Sequence, residues 1–201
     1  MTEQTFSGYA QELCLLLSHI EVTADSGERM SLEEGMNRVT SIILSKKSEE
    51  RKIIVIGNGG SAAIASHMQN DLCKAVAVRS LVFNEAPLLS ALSNDLSYMV
   101  AFEVLVDLWA ENGDVLIAIS SSGKSENIIR AADTARNKGC SVITLSGFKS
   151  NNPLRQKGDI NFYIPVEDYG FVELGHSILT HYISDSAKER IKTSAKKIIN
   201  S

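Results

Sequence analysis

Apolar residues recur at two different periods along this chain, and the switch between them divides it. Over residues 5–20, Phe6, Tyr9, Leu13, Leu16 and Leu17 fall three and four apart, which predicts an amphipathic helix. A second such pattern, with Met36, Val39, Ile42, Ile43 and Leu44, predicts a helix over 31–45. A polar link at 23–28 separates the two. From Lys52 onward, short runs of β-branched residues alternate with helical patterns. Strands are expected at 52–56, 77–83, 114–120, 141–145 and 161–165, with helices at 61–73, 86–92, 98–110, 125–138 and 170–191. This alternation predicts an α/β fold with a five-stranded parallel, doubly wound sheet, whose ligands bind at the carboxyl ends of the strands. The two leading helices, within 1–50, belong to no β-α unit. They pack either on a partner subunit or on their own domain. Residues 51–201 carry the sheet, and no linker or repeat marks a second catalytic unit. The closing run 188–197 reads as a solvated helix face or a frayed tail.

Composition narrows the classes. The chain has 201 residues and a net charge of −4, which argues against a nucleic-acid surface or an anionic membrane as partner. Its three cysteines (Cys14, Cys73, Cys140) are scattered, without metal spacing. They fit a reducing cytoplasm and read as core filler. No basic leader precedes the first apolar positions, and no apolar run is long enough to span a bilayer.

Two stretches carry chemistry. The first runs from Ile53-Ile-Val-Ile56 into Gly57-Asn58-Gly59-Gly60-Ser61 and then a helix. A buried strand, a glycine turn and a helix N-terminus with Ser61 as its cap form an anion site. His67 and Asp71 follow at i and i+4 on one helix face. The second stretch is Ala118-Ile-Ser120-Ser121-Ser122-Gly123-Lys124-Ser125, where four hydroxyls surround a glycine at a strand end. Hydroxyls and backbone N–H groups together suit a phosphate monoester. Three readings compete. A P-loop matches loosely through Gly123-Lys124-Ser125, but no strand ends in a magnesium-binding Asp. A dinucleotide fold matches through the glycine turn, but Glu85 lies far along for a ribose-binding acid. In the third reading, a sugar phosphate rests on the serine loop with the glycine turn beside the sugar.

The glycine turn, His67, Asn94-Asp95 and the serine loop, in that order and spacing, resemble the sugar isomerase (SIS) domain, and in particular its phosphoheptose isomerase branch. The similarity covers nearly the whole chain, the leading helices included. It implies a flavodoxin-like three-layer αβα sandwich, with 51–201 as the SIS domain and 1–50 as helices used in oligomerisation. It also implies a homotetramer with active sites between subunits, converting sedoheptulose 7-phosphate to a heptose 7-phosphate for surface polysaccharide. By position, Ser120, Ser121, Ser122 and Ser125 would hold the phosphate. Asn58, Gly59, Gly60, Ser61, Asp95 and Glu173 would meet the substrate. The branch's zinc site would fall on His67, Asp71, Glu173 and His181. Two of these depart from the family: Asp71 stands in place of a glutamate, and Glu173 in place of a glutamine.

An aldose–ketose isomerase moves a proton between C1 and C2 through an enediol, with a base and an acid. Asp71 is the candidate base and His181 the candidate acid. Glu173, Ser177 and His181 form one stripe whose ends lie about 12 Å apart along the helix. His176 falls outside that stripe, three residues from Glu173, where a helix-surface ion pair accounts for it equally well. Tyr98, Phe102 and Trp109 read as core or subunit interface, and Lys124 as solvent-facing. A function of another class stays open: a non-catalytic SIS-fold scaffold or sugar-phosphate sensor, such as a replication-initiator-associating protein.

Overall fold

Every residue of the strand Ile53–Gly57 (β3) is buried, and its side chains divide between two cores. Ile53 and Val55 face one side of the sheet, while Ile54 and Ile56 face the other. A strand buried on both faces reads as a continuous apolar run, and β5 (Val115–Ser120) repeats the pattern. The computed structural model describes residues 5–199, with side chains through residue 196. The last residue of the 188–197 run therefore lies, in its side chain, outside the described residues.

In chain order the elements are α1 (Phe6–Ser18), β1 (Glu21–Ala24), β2 (Arg29–Met30), α2 (Leu32–Ser48), β3 and α3 (Gly60–Asp71). They continue with β4 (Ser80–Leu81), α4 (Ala86–Asp95), α5 (Ala101–Trp109), β5, α6 (Glu126–Asn137), β6 (Ser141–Ser146), β7 (Ile160–Tyr163) and α7 (Tyr169–Ile199). The sheet order is β2-β1-β7-β6-β5-β3-β4. The five strands β3 to β7 are parallel, as the alternation predicts. Helices α2, α3 and α7 cover one face through Met36, Val39, Ile43, Met68, Leu179 and Ile183. Helices α5 and α6 cover the other through Phe102, Leu105, Val106, Ile128 and Ala132.

The sheet extends beyond its parallel part. The segment expected as a polar link forms a hairpin, in which β1 pairs antiparallel with β7 and β2 pairs with β1. Its turn contains Gly27 at φ +80°. Of the leading helices, α2 packs on its own domain, whereas α1 buries no residue fully. Tyr9 of α1 stacks on Phe171 of α7, with ring centroids 4.4 Å apart.

Boundaries differ where local geometry intervenes. Helix α3 stops at Asp71 and relaxes into a π-turn, Leu72–Val76, closed by Ala77 in the left-handed region at φ +58°. Strand β4 pairs over only two residues. Tyr98 lies in the α4–α5 connection rather than on a helix. Of the three cysteines only Cys140 fills core; Cys14 and Cys73 are exposed. Among the described residues, no helix is long and apolar enough to cross a membrane.

Candidate active site

Two loops at the carboxyl ends of neighbouring strands β3 and β5 build a cavity of about 220 Å³. The glycine turn supplies one wall. Its geometry requires glycine at Gly57, where a Cβ would lie 2.6 Å from the Ser61 backbone, while at Gly60 a Cβ would displace the Glu173 carboxylate. The N-cap of α3 is Gly59 rather than Ser61, and no side chain caps this helix. Ser61 sits buried in its first turn. An uncapped helix N-terminus opening onto a cavity favours an anion there.

The serine loop supplies the second wall. Ser125 is the N-cap of α6 and again makes no capping bond through its side chain. Ser120 Oγ donates to Ser125 Oγ at 3.2 Å, and Ser122 Oγ accepts from the Lys124 N–H at 3.3 Å. Ser121 is 5 % exposed, and its hydroxyl has no hydrogen-bond partner. A buried hydroxyl left unpaired beside a cavity lacks the partner that buried polar groups ordinarily have. Gly123, at φ +63°, is held from behind by the fully buried Asn152. The Asn152 amide donates to Ser146 Oγ, Gly147 O and Lys149 O.

Tyr169 and Glu173, from the first turns of α7, complete the cavity, and among the described residues no cationic side chain lines it. Lys124 points to solvent. A larger groove of about 650 Å³ lies between α5 and α6, but its Arg130 and Lys138 are already paired with Glu103 and Asp107.

A second cluster lies two turns along α3, where α3 packs against α7. His67 Nε2 is 3.4 Å and His181 Nδ1 3.6 Å from the same Asp71 oxygen, Oδ2. The two imidazole rings are 4.6 Å apart. His67, Asp71 and His181 offer ligand atoms that all lie within 4.8 Å of one another. Two imidazoles and one carboxylate, half-open to solvent, match the donor set of a zinc with a free position. Glu173 is not in this group; it stays with the phosphate-type loops. Asp95 stands at the exposed end of α4, where its carboxylate accepts from Asn94 Nδ2 at 2.9 Å, and it does not line the cavity. His176 is not on the helix surface: it is fully buried, with Nε2 3.3 Å from Ser146 O.

Four residues of the site were not singled out for it from the sequence. Asn127, Asn152 and Tyr169 carry no signal of residue type or spacing, and Tyr98 passes for core within an apolar pattern. Tyr98 instead bonds to Asn58, while Phe102 is core and Trp109 stays half-exposed.

A model of the SIS domain matches residues 19–147. The phosphoheptose isomerase of Aliarcobacter butzleri is 33 % identical over 173 residues, 83 % of this chain and 90 % of that protein. The phosphoheptose isomerase of Citrifermentans bemidjiense is 30 % identical over 188 residues, 90 % of this chain and 96 % of that protein. Among solved structures, a phosphoheptose isomerase from Neisseria gonorrhoeae superposes with a TM-score of 0.78 at 24 % identity. That superposition spans 91 % of this chain and 96 % of the other, and shows a shared fold.

Proposed function

The chain belongs to the SIS domain family, in its phosphoheptose isomerase branch, and on that premise we propose that it interconverts ketose and aldose forms of a seven-carbon sugar phosphate. Sedoheptulose 7-phosphate is the first candidate substrate, and a heptose 7-phosphate for surface polysaccharide the product. The observation that carries the reading is the unpaired Ser121 hydroxyl beside a cavity between two uncapped helix N-termini. Seven residues of helix separate Gly60 from His67, or roughly 10 Å. A seven-carbon chain has a contour of roughly 9 Å at about 1.5 Å per bond. A sugar phosphate lying along α3 from the glycine turn would have a length that matches the span to the His67–Asp71–His181 cluster.

Asp71 takes a proton from C1 of the ketose while His181 protonates the C2 oxygen, giving the enediol. The proton returns to C2, and the C1 hydroxyl loses its proton as the aldehyde forms. Nothing is oxidised or reduced overall. His67, Asp71 and His181 would hold a zinc, whose chemistry is polarisation of the carbonyl oxygen. Glu173 accepts hydrogen bonds from substrate hydroxyls beside the glycine turn.

A homotetramer with sites between subunits accommodates two features. Helix α1 leaves Phe6 and Leu15 exposed, and α7 exposes Leu174, Ile178 and Tyr182. Asp95, exposed at the end of α4 and not part of the cavity wall of its own chain, would be placed to meet substrate held by another copy. Exposed free thiols at Cys14 and Cys73 support a reducing cytoplasm as the compartment.

The test is NMR in D₂O with sedoheptulose 7-phosphate, with and without zinc. Deuterium at C2 and new aldose signals are expected, both lost in Asp71→Asn and His181→Ala. A folded protein that binds the sugar phosphate yet exchanges no proton is a sensor or scaffold, and the isomerase reading is then wrong.

A further inference from the structure

The two anion loops are tied together through Asn58 of the glycine turn and two side chains that neither loop motif contains. Asn58, in the glycine turn, and Asn127, in the first turn of α6, face each other as paired carboxamides. Asn58 Nδ2 donates to Asn127 Oδ1 at 3.0 Å, and Asn127 Nδ2 donates to Asn58 Oδ1 at 3.0 Å. Asn127 is 4 % exposed, whereas Asn58 is partly open to the cavities it lines. A third group fixes its orientation. Tyr98 Oη donates to the same Asn58 Oδ1 at 2.6 Å, which fills both acceptor positions of that oxygen. The Tyr98 ring tilts against Phe102, a core residue, with centroids 6.5 Å apart.

We propose that Asn127 and Tyr98 are positioning residues that lock the glycine turn and the serine loop at the separation a bound phosphate requires. The need follows from the loops themselves. Gly59 and Gly123 both have φ near +60°, and neither loop is closed by a side-chain cap on its helix. Backbones of that kind lose much freedom when a ligand orders them. A linkage already made in the free protein lowers the cost of binding. Asn58 also stands between the phosphate-type cavity and a second cavity of about 350 Å³, which Tyr98 lines. Without the phenol, the Asn58 carboxamide is free to turn into that second space and release Asn127.

The claim concerns ligand loops and so rests on the sugar-phosphate reading, but its test separates the two. Hydrogen exchange of the backbone amides at 57–62 and 120–126 is measured on the full chain. Binding of inorganic phosphate and of sedoheptulose 7-phosphate is measured by calorimetry. The variants are Asn127→Ala, Tyr98→Phe, Asn58→Ala and their pairwise combinations. Asn127→Ala is expected to speed exchange in the glycine turn, 69 residues away in sequence, and to weaken phosphate binding about tenfold, as loss of a paired hydrogen bond does. Tyr98→Phe, which removes one oxygen from a half-exposed ring, is expected to weaken binding about threefold. In an Asn58→Ala background neither change is expected to have a further effect, because both act through Asn58. Losses that simply add in that background, or glycine-turn exchange unaltered by both single variants, overturn the proposal. If Asn127→Ala does not fold, Tyr98→Phe and Asn58→Ala decide by the same criteria. If the wild-type chain binds neither ligand, the isomerase reading falls, and the exchange data still decide whether the linkage exists.

Discussion

Ser121 and His176 each bury a polar atom with no partner, and the two have opposite meanings. Ser121 belongs to the cavity wall although its unpaired Oγ is itself shielded, so a phosphate bound there would recover its cost in the free protein once the side chain turns toward it. Burying an unsatisfied hydroxyl costs about 1–3 kcal/mol. Ser121→Ala should therefore leave thermal stability unchanged or raise it slightly, while phosphate affinity by titration falls about tenfold. A loss of stability without loss of affinity would make the serine structural. His176 joins α7 to the end of β6, and burial pushes its imidazole down to about 4, opposed by the bond to the Ser146 carbonyl. The folded state holds this group neutral, whereas an unfolded chain protonates it near its ordinary value of about 6.5. Stability from His176 is complete above that value and is lost as pH falls from about 6.5 through about 4. The loss amounts to about 3 kcal/mol. Urea denaturation across that range should show the slope in the wild type and a shallower one in His176→Gln. From the sequence, His176 and His181 differ only in phase around one helix, and phase alone cannot tell a buried imidazole from an exposed one. The placement of the serine loop beside the glycine turn was legible because each follows an unbroken buried strand, and the two strands are neighbours.

At the scale of elements, the parallel strands were legible because they are buried on both faces, which leaves unbroken β-branched runs. The hairpin was not, since β1 is an edge extension with only Val22 and Thr23 buried, flanked by charged residues. The tie between the start of β5 and β3 shows how much rests on a residue that reads as a polar boundary. Asp114 is completely buried, and its carboxylate accepts from the Lys52 N–H at 2.9 Å and the Glu111 N–H at 2.8 Å. The Lys52 ammonium lies 2.7 Å from it. Glu111 also lies 3.2 Å from that ammonium, so loss of Asp114 leaves it a partner, and what is lost is chiefly the charge-assisted bonding to two backbone N–H groups, about 1–3 kcal/mol. Asp114→Asn keeps the shape but turns one acceptor into a donor facing an N–H. The expected loss is in that range by chemical denaturation, with no change in phosphate affinity, since the tie lies at the opposite end of the strands from both loops. An equal fall in affinity would mean that the strand ends move together.

Seen as a whole, the molecule lays its chemistry along the seam where α3 meets α7. Glu173 and the glycine turn stand at the top, beside the serine loop, and His67, Asp71 and His181 stand two turns below. The family resemblance implies Glu173 as a fourth metal ligand beside the three lower residues; the geometry keeps it apart from them. The difference is testable through stability, because a metal held by residues from both helices joins them and binds only the folded chain. Such a ligand stabilises by about 2.7 kcal/mol at a hundredfold excess over its dissociation constant. For a chain of this size that corresponds to a rise in melting temperature of about 5–10 °C. Zinc titration followed by thermal denaturation should show this rise in the wild type and lose it in His67→Ala and in His181→Ala. Glu173→Gln should keep it, because the three remaining donors are intact, and should instead change sugar-phosphate affinity. Loss of the zinc effect in Glu173→Gln would move that carboxylate into the metal site and require α7 to rearrange on binding. No zinc effect in the wild type would leave Asp71 held between two imidazoles as a proton-transfer group alone, with the isomerisation carried by acid–base chemistry.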